Sequence, residues 1–566
     1  MADDQERAFL DWFTSNGGWI DSRLSLQKIP GMGRGLVALS AISENDRLFS
    51  IPRSMLMNLG TSGLQAACEA AEQEKAPREG LAWKDVLEHG WCGLILMLMW
   101  EHWRASTQGE TTGMTWGPYF GIMPSTFSTP MFWTAEQLDM LQGTDIQDKI
   151  ARAEAEEDYC TYVRPYIEQY PHIFVGVHAS DLHAVIEKYY HIEMYHRMGS
   201  SILSRSFHVK RDLSHAESDE ADITFAPAEV AVERAMPRGD EGDEVDHEES
   251  AEIDMDENDE SEDEENDEDV RDISMVPMAD MLNAKFGSEN TRCFYKREAL
   301  EMRCTKPIQV GEQLLNTYGN PPNSDLLRRY GFVDEPNRGD LVELPAMTVL
   351  EAAVAKLTQI TGAPQDTIAA YLGQRFEWAC TELGMDEVFL LARLSKPTPT
   401  PPFSSTLDLQ PGTLSSSEKR TLSRAAGEVP DDLVGFARLL CVSQSGFERA
   451  QKKDALPSAR LDAVEALDEG WPGSPPAGAA LAVASLLADA VQRRASVYPT
   501  SWSETASQLA ACAPSTEDPL RMALVVRAGD QVILDEHHRL FTLLLAHARA
   551  ETAPSTAASS VKKARK

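Results

Sequence analysis

Two stretches far apart in the chain share one local grammar, and that repetition constrains the fold more than any bulk property does. "GMGRGLVALSAISENDRLFSIP" (residues 31–52) reads as a glycine-rich lead-in, a strand, a turn containing acids, and a second short strand stopped by proline. "MRCTKPIQVGEQLLNTYG" (residues 302–319) repeats the order of isoleucine, acid-bearing turn, leucine and short strand. Two such hairpins build one β-rich unit only if the chain between them is a large insertion. Over residues 61–210 that insertion reads as mostly helical: "WKDVLEHGWCGLILMLMWEHWRA" and "DLHAVIEKYYHIEMYHRMGSSILSRSF" carry apolar residues at helical spacing. The apolar run "WCGLILMLMW" (residues 91–100) is about half of what a membrane span requires and reads as a buried helix.

Charge divides the insertion. The chain has a formal net charge of −38, and residues 240–269 alone hold 20 Asp or Glu and no Lys or Arg. Such a segment cannot bury enough apolar surface to offset its ordering entropy, so residues 211–270 are expected to be disordered. The acidic balance disfavours direct contact with nucleic-acid phosphates and makes a basic protein the natural partner. "ISMVPMADMLNA" then restarts ordered structure.

At 566 residues the chain exceeds one core, so two or more domains are expected. Beyond residue 341 the pattern turns helical again, interrupted by a Pro/Ser/Thr-rich stretch over 396–417, and the tail ends on the small basic cluster "VKKARK". "MADDQERAFL" shows no basic start followed by an apolar core, so no secretory signal is expected. The eight cysteines show no zinc-ligand spacing, which points to reduced thiols and no structural metal.

Single motifs are ambiguous. The glycines of "GMGRGL" precede a strand rather than follow one, which excludes a dinucleotide-binding loop; they serve a tight turn or let backbone groups approach a ligand. Asp280 and Asn283 in "ADMLNA" share a face if that segment is a helical turn, yet either residue is also a common helix cap. Arg205 in "SILSRSF" reads equally as a solvated or salt-bridging residue. Tyr318, Tyr330 and Phe332 in "NTYG" and "RRYGF" read as core aromatics when taken alone.

Their order narrows the choice. "GMGRGL", a long helical insertion, "SRSF", "VPMADMLN", "GEQLLNTYG" and "LLRRYGFV", in that sequence, resemble the SET-domain protein-lysine methyltransferases. The similarity is to the branch with a split SET domain and a helical C-terminal domain, typified by the Rubisco large-subunit methyltransferase. "WGPYFGIMPSTF" and "FWTAEQLDMLQGT" look like that branch's inserted region, and "NSDLLRRYGF" looks most like the fungal ribosomal-protein lysine methyltransferases of type four. The resemblance covers residues 8–340 strongly and 341–550 more weakly.

It implies an α+β fold: a SET domain in two parts (20–60 and 271–340), a helical insertion (61–210), an acidic insertion (211–270), an all-helical C-terminal substrate-binding domain (341–550) and a basic tail (551–566). It implies S-adenosyl-L-methionine as cofactor and a large-subunit ribosomal protein as substrate, with the enzyme working as a monomer in the nucleus and also in the cytoplasm. By resemblance, Met32, Gly33, Arg34, Arg205, Asn283 and Ala284 belong to cofactor binding, and Tyr318 stands at the methyl-transfer pore as the catalytic residue and a cofactor contact. Arg205, Asp280, Tyr330 and Phe332 belong to substrate binding. One position departs from the branch: Ala284 stands where a histidine is usual, so only a backbone contact to adenine survives there. Two alternatives remain open, a non-catalytic SET-like module that binds basic proteins and a protein-histidine methyltransferase of the same fold.

Overall fold

The computed structural model describes residues 2–74, 80–107, 115–176, 182–209, 273–285, 287–335, 337–394, 414–461, 463–513 and 518–552. The acidic insertion, most of the Pro/Ser/Thr-rich stretch and the basic cluster lie outside the described residues.

Four short strands follow the first helix (Ala2–Ser15): β1 (Trp19–Ile20), β2 (Leu24–Ile29), β3 (Gly33–Ala38) and β4 (Arg47–Pro52). After the helical insertion come β5 (Ser206–His208), β6 (Ile273–Met275), β7 (Asn283–Ala284), β8 (Thr291–Tyr295), β9 (Ala299–Cys304) and β10 (Leu315–Asn316). The main sheet runs β1-β4-β9-β8, and β2–β3, β5–β6 and β7–β10 are separate ladders. The ladder β7–β10 is parallel and pairs Leu315 with Asn283 and Asn316 with Ala284.

The two repeated phrases contain strands, but neither folds as a hairpin on itself. β3 pairs with β2, and β4 pairs with β1 and β9. The phrases instead pair with each other. Ile42 and Ile308 exchange backbone hydrogen bonds of 3.0 Å, Ala38 N–H donates to Glu312 O at 2.9 Å, and Leu314 N–H to Leu36 O at 2.8 Å. The two halves of the β-rich unit are therefore stitched strand to strand.

The helix Cys92–Thr107 is apolar on every face through Trp100, and so it is buried on nearly every face through Trp103. It belongs to a core that also holds Phe9, Leu36, Phe49, Ile202, Met278 and Leu300, so the inserted helices and the strands share one apolar interior. A second core runs from Val342 to Leu543. This C-terminal region is mostly helical rather than all-helical: β11 (Leu341–Pro345) pairs antiparallel with β12 (Val388–Ala392), and β13 (Val464–Ala466) with β14 (Ala480–Ala482). A small third cluster joins the two units, packing Met522, Ala523 and Val526 of the helix Pro519–Thr552 against Trp133, Leu141, Ile146 and Leu327. Among the described residues, no helix is long and apolar enough to cross a membrane.

Candidate active site

The site grows from the point where β3, β7 and β10 meet. Gly31 (φ +74) and Gly33 (φ +73) take left-handed backbone at the turn into β3, which glycine adopts without steric cost. Gly35 answers to the other reading of the motif, close approach. A Cβ there would lie 2.5 Å from Gln313 Oε1 and 2.8 Å from Asn283 Nδ2. Asn283 donates from Nδ2 to the Arg34 carbonyl at 3.1 Å and to Gln313 Oε1 at 2.6 Å. Gln313 Nε2 in turn lies 3.6 Å from Met32 Sδ. The Arg34 side chain is engaged elsewhere, with the Ile122 carbonyl at 2.8 Å and Glu6 at 3.3 Å. Its main chain is thus the part bound to Asn283.

Asp280 and Asn283 do not share a helical face. Asp280 sits in a tight 3-10 turn (Ala279–Met281) and Asn283 opens β7. The turn is set by Met278, a fully buried non-glycine residue at φ +82 and ψ −47. Backbone strain of that kind costs about 1–3 kcal/mol and persists only where the surroundings hold it. What it achieves is to bury Asp280, which is 7% exposed. Tyr119 donates to Asp280 Oδ2 at 2.7 Å, and Arg205 Nη1 donates to the Asp280 main-chain oxygen at 2.7 Å while lying 3.8 Å from Oδ2. Asp280 Oδ1 and Arg205 Nε are buried without a hydrogen-bond partner. Burial pushes the Asp280 carboxyl up to about 6, with the Arg205 charge and the Tyr119 hydrogen bond holding it back.

The aromatic wall comes from the chain after β10. Tyr318 donates its hydroxyl to the Leu282 carbonyl at 3.1 Å, one residue before Asn283. Burial raises its pKa, the Arg205 charge opposes the shift and the Asp280 charge adds to it. The Tyr330 ring stacks on that of Tyr318, and Phe332 lies 6.2 Å from Tyr330, tilted by 50°. Tyr330 ends a wide π turn (Leu326–Tyr330), whose carbonyls at Leu326 and Leu327 both accept from Gly331 N–H at 3.1 Å. Asn323 braces the turn by accepting from Asp334 N–H at 2.8 Å and donating from its own N–H to Asp340 Oδ1 at 2.9 Å.

Met32, Gly33 and Arg34 therefore stand beside Asn283 across Gln313. Arg205, Asp280 and Tyr318 form a second group, and Tyr330 and Phe332 extend from Tyr318. Ala284 is half-buried opposite Asn316. Sequence reasoning missed Tyr119, Gln313 and the Leu282 carbonyl. Tyr119 lies in the quoted "WGPYFGIM", but only the folded chain brings it to Asp280. Among the described residues, no cluster of His, Cys, Asp and Glu could hold a metal ion.

Residues 404–534 match the family model described as Rubisco LSMT substrate-binding, and curated relatives are named N-lysine methyltransferases. The chain is thus similar to protein-lysine methyltransferases, the class of activity its motif order implied, and over residues 404–534 to the substrate-binding family of Rubisco LSMT. In particular, it is 26% identical over 327 residues to N-lysine methyltransferase setd6 of Xenopus laevis, covering 56% of this chain and 55% of that protein. It is 24% identical over 401 residues to N-lysine methyltransferase SETD6 of Rattus norvegicus (69% and 66%). With Ribosomal lysine N-methyltransferase 4 of Saccharomyces cerevisiae it shares 26% identity over 323 residues (56% and 53%). The matched part spans between about half and two thirds of these relatives' own length. The solved structure described as the SET domain of LSMT bound to lysine and AdoHcy aligns with a TM-score of 0.49 at 15% identity, covering 96% of this chain and 92% of that one.

Proposed function

We propose that the chain is an S-adenosylmethionine-dependent protein-lysine N-methyltransferase acting on a basic protein, in particular a ribosomal protein of the large subunit. The observation that carries the reading is the convergence of Tyr318, the Leu282 carbonyl, Arg205 and Asp280 beside Asn283, which is itself tied to the glycine turn. The relatives' names support lysine as the target, and the yeast relative's name supports the ribosome. We assign substrate recognition to the region 341–550, which the matched family description favours. The nucleus, with the cytoplasm, is its proposed place of work.

The residues fit the cofactor. Arg205 keeps a buried guanidinium nitrogen without a partner, and nothing lies within 4 Å of where a Cβ on Gly33 would stand. The main chain of Met32, Gly33 and Arg34, with Arg205, Asn283, the Ala284 backbone and Tyr318, would hold it. When bound it supplies an electrophilic methyl group on a sulfonium. The protein's task is then alignment and a neutral amine. A lysine in water has a pKa of about 10.4, so roughly one in a few thousand is neutral at pH 7. The Tyr318–Tyr330–Phe332 wall strips water from the side chain and disfavours the ammonium by desolvation. The same ring faces attract a methylated, still cationic product.

Incubation of the purified protein with radiolabelled cofactor and unmodified large-subunit ribosomal proteins tests the reading. Label on a lysine is the expected result. Cofactor binding without label on any protein would favour the non-catalytic module, and a methyl located on an imidazole would move the target to histidine.

A further inference from the structure

We propose that Tyr119 is a positioning residue of this site: by donating its hydroxyl to Asp280 Oδ2 it fixes the carboxylate so that Oδ1 stays open to the substrate's ammonium. The inference rests on the lysine methyltransferase reading and adds to it a residue from outside both halves of the β-rich unit.

Tyr119 lies on the helix Gly117–Ile122 and is fully buried. Its ring is boxed by those of Phe9, Trp12, Trp116 and Phe120, with centroids 6.2 to 6.4 Å away, and stacks nearly parallel to Trp12. The hydroxyl is its one polar side-chain atom, and it bonds Asp280 Oδ2 at 2.7 Å. A ring held this firmly places the carboxylate as well as satisfying it.

The nearest side-chain donors serve other acceptors, and Arg205 Nε, though unpartnered, makes no hydrogen bond to Asp280. Arg205, from the helix Ile192–Arg205, gives its close bond to the main-chain oxygen of Asp280, and Tyr318 gives its hydroxyl to Leu282. Asp280 Oδ1 is left buried without a well-formed hydrogen bond, with only the backbone N–H groups of Met278 and Asp280 facing the carboxylate. A buried carboxylate oxygen without a partner is costly, because it has given up water and gained no donor in return. The cost is relieved when a donor arrives, and an ammonium entering beside Tyr318 is such a donor. In this arrangement Asp280 captures the charged form of lysine, and the aromatic wall acts on it afterwards.

The groups facing Asp280 are Arg205, Tyr119 and Tyr318, together with the backbone N–H groups of Met278 and Asp280. The Tyr119 bond favours the ionised carboxylate, so its loss raises the carboxyl above its present value of about 6 and leaves less charge at neutral pH.

The test uses the full chain with S-adenosylhomocysteine and the probe Nα-acetyl-lysine methylamide, whose binding is followed by calorimetry from pH 5 to 8. Wild-type binding should weaken as Asp280 takes up a proton, and in Tyr119→Phe that acid limb should move up by about one pH unit. S-adenosylhomocysteine affinity should be unchanged, and Asp280→Asn should lose the limb altogether. Thermal denaturation checks that Tyr119→Phe, which keeps the packed ring, is folded. A second measurement needs no variant: near pH 5.5, wild-type binding in two buffers of different ionisation enthalpy should release a proton. An unshifted limb in folded Tyr119→Phe, affinity lost equally at every pH, or no proton release in the wild type overturns the proposal. A wild type that binds no S-adenosylhomocysteine overturns the methyltransferase reading itself.

Discussion

The rings of Tyr318 and Tyr330 lie 4.4 Å apart between centroids and within 14° of parallel, so the end of β10 and the end of the π turn present one aromatic surface. Offset stacking of this kind contributes about 0.5–1.5 kcal/mol beyond the area it buries. Its larger effect is to fix the Tyr318 hydroxyl on the Leu282 carbonyl. Tyr330→Ala removes the backing ring and should lower kcat/KM on the order of 100-fold, because misplacement by about 1 Å costs that much where alignment is the main contribution. Cofactor affinity, measured by calorimetry, should stay near wild type. Tyr318→Phe should also lose turnover, with about 1 kcal/mol of stability from the missing hydrogen bond.

Gly331 closes the π turn at φ +78, and a Cβ there would stand 3.1 Å from Ser128 C and from Thr129 N. Both neighbours are backbone and neither gives way cheaply. Gly331→Ala should cost about 1–3 kcal/mol in denaturant unfolding. Activity should fall further than stability, since Tyr330 precedes the strained residue directly.

The glycine pattern, Asn283 and Tyr318 were singled out by the order of their motifs, since each residue type alone was ambiguous. The strands of the repeated phrases were legible too, but their partners were not. Alternation marks a strand without naming its neighbour, and here the neighbour lies across the insertion, as Ala38 with Glu312 shows. Whether Asp280 and Asn283 share a face stayed open in the sequence, because no residue type announces φ +82 at a methionine or a turn as short as Ala279–Met281. Tyr119 was hidden for a third reason. Its pattern is that of any core aromatic, and only the carboxylate it meets gives its hydroxyl a role. The β11–β12 ladder escaped because five-residue strands between long helices leave little periodicity to read.

Gly35→Ala tests the coupling of the glycine turn to Asn283. The added methyl meets Gln313 Oε1 at 2.5 Å, Asn283 Nδ2 at 2.8 Å and Ile29 Cγ1 at 2.9 Å, so the amide pair must move. Asn283→Ala removes the same link from the other side. Each should weaken S-adenosylhomocysteine binding by about tenfold or more in calorimetry, the equivalent of roughly one hydrogen bond. The two losses should be less than additive in the double variant, because they break one contact.

Asp340 gives the stability of the site a pH dependence of definite sign. It is 7% exposed and accepts from Asn323 N–H at 2.9 Å and Asn323 Nδ2 at 3.3 Å. Gly529 of the helix Pro519–Thr552 packs so close that a Cβ there would reach Asp340 Oδ2 at 2.8 Å. Burial pushes the carboxyl up to about 7; the Asn323 hydrogen bonds and the Arg393 charge hold it back, and the Asp334 charge adds to the rise. In the unfolded chain an aspartate titrates near 3.9. Between about pH 4 and 7 the folded protein therefore holds a proton that the unfolded chain has released, and stability falls as pH rises across that window. The contribution is fully present below the unfolded pKa and gone above the folded one, with a slope of at most about 1.4 kcal/mol per pH unit. Asp340→Asn keeps the shape of the protonated side chain and cannot ionise. In urea unfolding at pH 5, 6, 7 and 8, it should gain on the wild type up to about pH 7 and level off by pH 8. A constant difference between the two proteins across that range would show that Asp340 titrates normally. Because Asn323 braces the turn that ends at Tyr330, the wild type should also lose some methyl-transfer activity as Asp340 ionises, and Asp340→Asn should lose less.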